Sequence, residues 1–190
     1  MKRILVVVAH LDDETFGIGG SLLKWKDSHD IKIVSLCCGR NKSNSNDRKI
    51  AFKKITDKLN CDFKVLPYYD LQLEKESLVD FTNIIAKEIN DFNPDIIITN
   101  SENDIHQDHK IVSHATKIAA RPSRNNNIKE ILEFKITGSE PFSSTYFDTV
   151  VDISSVILDK NEMCMYYESE NMPEIENKEY FKTIYRKLEL

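Results

Sequence analysis

Four cysteines in 190 residues, at positions 37, 38, 61 and 164, form no C-x-x-C pair and no regular spacing, which excludes a disulfide framework and a cysteine-based zinc site. Cys37 and Cys38 are adjacent and face opposite sides of any strand they end, so the four read as small buried hydrophobes in a reducing compartment, with a cysteine nucleophile as the lesser alternative. No apolar run approaches the roughly 18 residues a membrane span needs. Met1-Lys2-Arg3 leads straight into a short apolar stretch without a small-residue cleavage site, so the expectation is a cytoplasmic chain with no membrane span. Basic residues are outnumbered, 26 Lys and Arg against 31 Asp and Glu for a net charge of -5, and they are scattered, which argues against a nucleic-acid partner. Internal repeats are missing, and so are low-complexity segments beyond short Asn/Ser tracts. A chain of this length buries about two-thirds of its unfolded surface, so one domain over 1–190 is expected.

What the chain does have is a rhythm. Strands are predicted over 4–9, 31–37, 63–66 and 96–99, alternating with helices over 14–27, 47–59, 75–90 and 108–119. This alternation implies an α/β fold, a Rossmann-like three-layer sandwich with a mostly parallel sheet and helices on both faces. The nearly continuous apolar runs at 4–9 and 95–99 suit central strands buried on both sides. A strand order of about 3-2-1-4-5 reverses direction between the first and fourth strands, which is where open α/β sheets bind ligands. Further on, a loop is expected over 121–127, a strand over 130–136, a turn over 141–145 and a strand over 149–153. A helix from 155 to about 168, capped by Ser154 or Ser155, follows, and no element is assigned beyond it. A polar loop over 41–46 lies near the expected pocket.

Two polar knots emerge at the exits of the first and fourth strands. The first ends the run Val6-Val7-Val8-Ala9-His10-Leu11-Asp12-Asp13-Glu14, and the second is His106-Gln107-Asp108-His109. A histidine and a carboxylate three apart on a tight turn can converge on one ion, so His10, Asp13 and His109 are the candidate ligands, leaving a fourth position for water as in a catalytic zinc site. Two histidines and a carboxylate also describe a non-haem iron(II) triad. Asp12, unable to face the ion at the same angle as Asp13, is then the candidate general base. The competing reading is that Asp12, Asp13 and Glu14 merely cap the helix that follows. His106 and His109 share a helix face, so His106 is expected to be a cation that stabilises an oxyanion and protonates a departing amine, with Asp108 orienting and charging it. Gly17, Gly19 and Gly20 stand too far from the strand for a dinucleotide fingerprint and read as permitting close helix–sheet packing. His29 and His114 carry no functional expectation.

At these residues the chain resembles the LmbE-like (PIG-L) family of zinc-dependent N-acetylglucosaminyl deacetylases. The family's A-H-P-D-D-E is matched by Ala9-His10-Leu11-Asp12-Asp13-Glu14, its G-x-G-G by residues 17–20, and its H-x-D-H by His106 to His109. The resemblance implies zinc on His10, Asp13 and His109, Asp12 as base, and His106 with Asp108 as acid and partner. It further implies that Arg48 and Asp104 bind substrate, and it extends more weakly to Val151-Asp152-Ile153, Lys160 and residues 167–170. Leu11 departs from the family's proline, Ala51 stands where glutamate is frequent, and the chain stops at Leu190, shorter than many relatives. The expected function is therefore metal-dependent removal of an N-acetyl group from a small-molecule amino sugar or glycoconjugate, by attack of zinc-bound water. An amidase on a non-sugar N-acyl amine and a catalytically silent metal- or sugar-binding subunit are the alternatives, and a homo-oligomer is left open. Asp12 and His106 argue against silence, because metal binding alone needs neither.

Overall fold

The computed structural model describes residues 1–41, 45–124, 127–139, 146–167 and 176–187. The expected turn over 141–145, parts of the loops over 41–46 and 121–127, and residues 168–170 lie outside the described residues. Chain order is β1 (Lys2–Val8), α1 (Asp13–Trp25), β2 (His29–Cys37), α2 (Ser45–Leu59), β3 (Asp62–Tyr68), α3 (Leu78–Phe92), β4 (Ile96–Asn100), α4 (Gln107–Ala119), β5 (Glu130–Phe134), β6 (Thr149–Asp152), α5 (Ile157–Met165) and β7 (Lys178–Arg186). The sheet order is β3-β2-β1-β4-β5-β7-β6, so the expected 3-2-1-4-5 arrangement is present and is extended by two strands. The first five strands are parallel, with Val6 of β1 opposite Ile33 of β2 and Ile98 of β4.

Alternation along β1 divides the core. Ile4, Val6 and Val8 face a cluster with α1, α2 and α5, while Leu5, Val7 and Ala9 face a cluster with α3 and α4. Both clusters are dry, which explains why β1 and β4 read as unbroken apolar runs. Leu11, in place of the family's proline, is fully buried in the first cluster, so side-chain packing anchors the turn that proline would stiffen.

Several boundaries differ from the sequence reading. α3 starts at Leu78, where the Ser77 side chain accepts the Asp80 N–H, and Leu73–Lys75 forms a separate 3-10 turn. β5 stops at Phe134, two residues early. Neither Ser154 nor Ser155 caps α5; Ser154 Oγ bonds Asp152 instead, and a 3-10 turn over Ser154–Val156 precedes the helix. The unpredicted strand is β7, which runs antiparallel between β5 and β6.

The glycine reading holds at two of three positions. A Cβ at Gly17 would overlap the Phe134 ring, and one at Gly20 would lie 2.6–2.8 Å from three side-chain carbons of Ile153, whereas at Gly19 the nearest atom is 3.5 Å away. Gly20→Ala is therefore expected to lose about 1–3 kcal/mol by overpacking. Gly19→Ala should gain about 0.5–1 kcal/mol from helix propensity. Urea melts of the two variants check the opposite signs.

Candidate metal and active site

Asp13 opens α1, and the end of β1 shapes its carboxylate. Its Oδ2 accepts the N–H groups of Ala9 (3.1 Å) and His10 (3.0 Å) and the side-chain amide of Asn100 (3.0 Å), which turns Oδ1 towards the two histidines. Asp13 Oδ1 lies 3.5 Å from His10 Nδ1 and 3.2 Å from His109 Nε2, and the two nitrogens are 3.2 Å apart. The β1–β4 neighbourhood, with Val7 opposite Thr99, is what brings residues nearly a hundred positions apart together. All three side chains are buried.

Each inner nitrogen is backed by a carboxylate on the outer one. Asp108 Oδ2 is 3.0 Å from His10 Nε2, and Asp104 Oδ2 is 2.8 Å from His109 Nδ1. A carboxylate on the outer nitrogen keeps the N–H there and aims the lone pair inward, the arrangement found behind metal-binding imidazoles. Two lone pairs and an anionic oxygen facing one another require a cation or protons between them. The mutual spacings of 3.2–3.5 Å match the edge of about 3.3 Å that a tetrahedral ion with bonds of about 2.0–2.1 Å would subtend. The donor set fits zinc and equally iron(II). His106 with His10 and His109, Cys37 and Asp70 with His10, and Asp12 with His10 and Asp13 also bring ligand atoms within 4.8 Å of one another. Burial holds the Cys37 thiol of the second grouping far above its ordinary value in the ion-free protein.

The charges express the same demand. Burial depresses both imidazoles, yet the Asp13 charge and the Asp108 hydrogen bond outweigh it and hold His10 well above its usual range. The Asp13 charge and the Asp104 hydrogen bond likewise push His109 up to about 9. Asp13 is held well below the carboxylate range because His109 and His10 overcome its desolvation. Glu14 next door is fully buried, and desolvation raises it to about 8.

Two site assignments change. Asp108 does not orient His106: its carboxylate accepts from His10 and from the Leu71 N–H (2.6 Å), and only its backbone N–H meets His106, donating to Nδ1 at 3.2 Å. The imidazole of His106 is thus the N-cap of α4, which fixes its ring beside His109 at a centroid distance of 4.5 Å. Burial and then the positive His109 and His10 hold it below its ordinary value in the ion-free protein, which favours the neutral ring over the expected cation. Asp104 is not among the residues that line the cavity. Both of its oxygens are taken, by His109 and Ser139 Oγ on one and the His106 N–H on the other.

Asp12 stands at the N-cap of α1 without a side-chain cap bond, while Asp13 and Glu14 occupy the first turn. Asp12 Oδ2 lies 3.3 Å from Arg48 Nη2, and Arg48 Nη1 lies 3.0 Å from Asp70 Oδ2. Arg48 is buried between the two carboxylates. Asp70 and Asn100 are the residues the sequence reading passed over. Both are polar residues at or just beyond the carboxyl ends of apolar strands, the signal that had drawn attention to the two knots.

These groups line a cavity of about 600 Å³. His10, Asp12, Asp13, Arg40, Arg48, Asp70, His106 and His109 form its polar wall, and Phe16, Leu71 and Ile136 supply apolar surface. The 136–139 turn also lines it. No helix among the described residues is long and apolar enough to cross a membrane.

Fold and site together define a class: Rossmann-like α/β chains with a His–Asp–His cluster at the switch point of the sheet. Within that class, the sequence profile of the GlcNAc-PI de-N-acetylase family, PIG-L, matches residues 5–120, and the chain belongs to this deacetylase family. Solved structures similar over nearly the whole chain agree on the fold. The 4-carboxy-2-hydroxymuconate hydratase of Pseudomonas putida has a TM-score of 0.74 at 16% identity, covering 100% of this chain and 99% of that one. A deacetylase triple mutant from the teicoplanin biosynthetic pathway gives 0.79 at 14% identity, with 97% and 98% covered. The N,N'-diacetylchitobiose deacetylase of Pyrococcus horikoshii gives 0.73 at 16%, with 96% and 84% covered. A sequence search of curated proteins returns no match. Because one of these folds carries a hydratase, the reaction has to be argued from the site.

Proposed function

We infer that the chain is a metal-dependent hydrolase that removes the N-acetyl group from an amino sugar or glycoconjugate. The observation that carries this reading is the convergence of His10 Nδ1, Asp13 Oδ1 and His109 Nε2, at 3.2–3.5 Å from one another, with a carboxylate behind each imidazole. These three residues would hold zinc, or iron(II), whose Lewis acidity would activate water and polarise an amide carbonyl. Asp12 beside them takes the proton of the attacking water and returns it to the departing nitrogen. Arg48, gripping Asp12, fixes the carboxylate for that transfer. His106 has its Nδ1 engaged by the Asp108 N–H, which leaves Nε2–H to donate to the oxyanion.

A sugar fits better than a simple acylamine. Asp70 Oδ1 is a buried acceptor with no partner among the described residues, and it belongs to a side chain lining the cavity. A buried, unsatisfied carboxylate oxygen calls for a donor, and a sugar hydroxyl supplies one.

Acetate release from free, nucleotide-linked and lipid-linked N-acetyl amino sugars, with metal content measured on the same preparation, tests the reading. It requires turnover of at least one of them and about one ion per chain. Ion binding without acetate from any of them would leave the silent subunit, and release only from non-sugar acylamines would leave the amidase.

A further inference from the structure

Leu71 follows β3 on the loop that reaches the cavity, and its conformation is unusual in three respects. Its backbone is left-handed, with φ of 60°. Asn60 and Asn93 are the other non-glycine residues at positive φ among those described, and asparagine tolerates this region, whereas leucine is strained in it. Its N–H donates to Asp108 Oδ2, so the strained backbone helps hold the carboxylate behind His10. Its side chain, instead of turning inward, is 67% exposed where it lines the cavity.

A glycine would donate the same N–H without strain, so the hydrogen bond does not account for the leucine. What glycine would lack is the isobutyl group, left in water beside the polar wall of Arg48 and Asp70. Strain of this kind persists where a site makes use of it.

We propose that the Leu71 side chain is a specificity determinant that packs against an apolar group carried by the sugar, so that the site prefers aryl or alkyl glycosides to the free amino sugar. This rests on the reading of the cavity as an amino-sugar site. A volume of about 600 Å³ exceeds the needs of a single sugar ring, and the half-buried Phe16 and Ile136 add apolar surface to the same cavity. The polar wall then meets the ring hydroxyls, and the apolar members receive what the ring carries.

Calorimetry on the zinc-loaded protein tests this with two product amines that cannot be turned over, phenyl glucosaminide and glucosamine. The wild type should bind the phenyl glycoside about tenfold more tightly, the scale of burying part of a leucine side chain. Leu71→Gly and Leu71→Asn, both compatible with a left-handed backbone, should bring the ratio of the two dissociation constants close to one. Leu71→Gly should also raise Tm by about 2–4 °C through relief of strain, which separates lost preference from lost folding. A wild-type ratio near one, binding of neither amine, or a ratio that survives both substitutions overturns the proposal. Acetate release is read separately: a Leu71-dependent preference in a protein that releases no acetate upholds this proposal and sinks the deacetylase reading.

Discussion

With Asp12 changed to asparagine, acetate release is expected to fall about 10²- to 10⁴-fold, the usual contribution of a positioned general base, while the bound ion stays. The amide keeps the size of the carboxylate but has no basic oxygen to receive a proton. Ion binding should be spared because His10, Asp13 and His109 converge without Asp12, whose carboxylate, though within 4.8 Å of donors on His10 and Asp13, pairs with Arg48. Turnover and metal content, measured on one preparation, separate the two effects. Unchanged turnover would remove Asp12 as the base, and loss of the ion would make it a ligand instead. Arg48→Ala should act in the same direction by freeing Asp12 to swing, so its effect should fall mainly on kcat. A rise in KM alone would return Arg48 to the substrate-binding role suggested by resemblance.

The placement of the site was legible because it depends on topology. Strands β1 and β4 are apolar enough to be recognised as central, and the reversal of strand order between them fixes where polar residues at their exits must meet. What spacing could not tell was which imidazole each carboxylate serves. Asp108 is two residues from His106, but His106 caps α4 with its own ring, and Asp108, already on the helix, projects across the gap to His10. Asp104, given a substrate-binding role by the resemblance, also accepts from Ser139 Oγ on a turn distant in sequence. Behind the candidate ligands a contact depends on a loop's path and not on sequence distance.

β7 escaped notice for a different reason. Its core-facing positions include Glu179, which breaks the apolar alternation expected of a strand. That glutamate is buried because it accepts the N–H groups of Gly20 and Ser21 and pairs with the buried Lys160 at 2.6 Å. The strand thus ties the end of the described chain to α1, the helix that Asp12 and Asp13 open. Lys160, one of the residues that resemble the family near its end, is engaged in this contact.

Replacing Asp13 with asparagine should weaken the ion more than any change behind the ligands. Asp108→Asn, which perturbs only the outer side of His10, is expected to lose roughly 10- to 100-fold in ion affinity. Asp13→Asn removes the only carboxylate among the three ligands and should lose more. The pH dependence gives an independent readout in chelated protein. His109 is raised to about 9 and His10 well above its ordinary value, so both exceed the unfolded value of about 6.5. The stability they confer is complete below pH about 6.5 and is lost as pH climbs through the folded values. The ion-free wild type should therefore lose stability from about pH 6.5 to 9 and beyond, and it should take up zinc more tightly over the same range as protons leave the imidazoles. In Asp13→Asn the charge that outweighed burial is gone, leaving desolvation, the largest influence on both rings, less opposed. The decline with pH should flatten, as read by urea melts at a series of pH values. A variant as steep as the wild type would mean that Asp13 does not govern the two histidines, and the three-residue cation site would have to be abandoned.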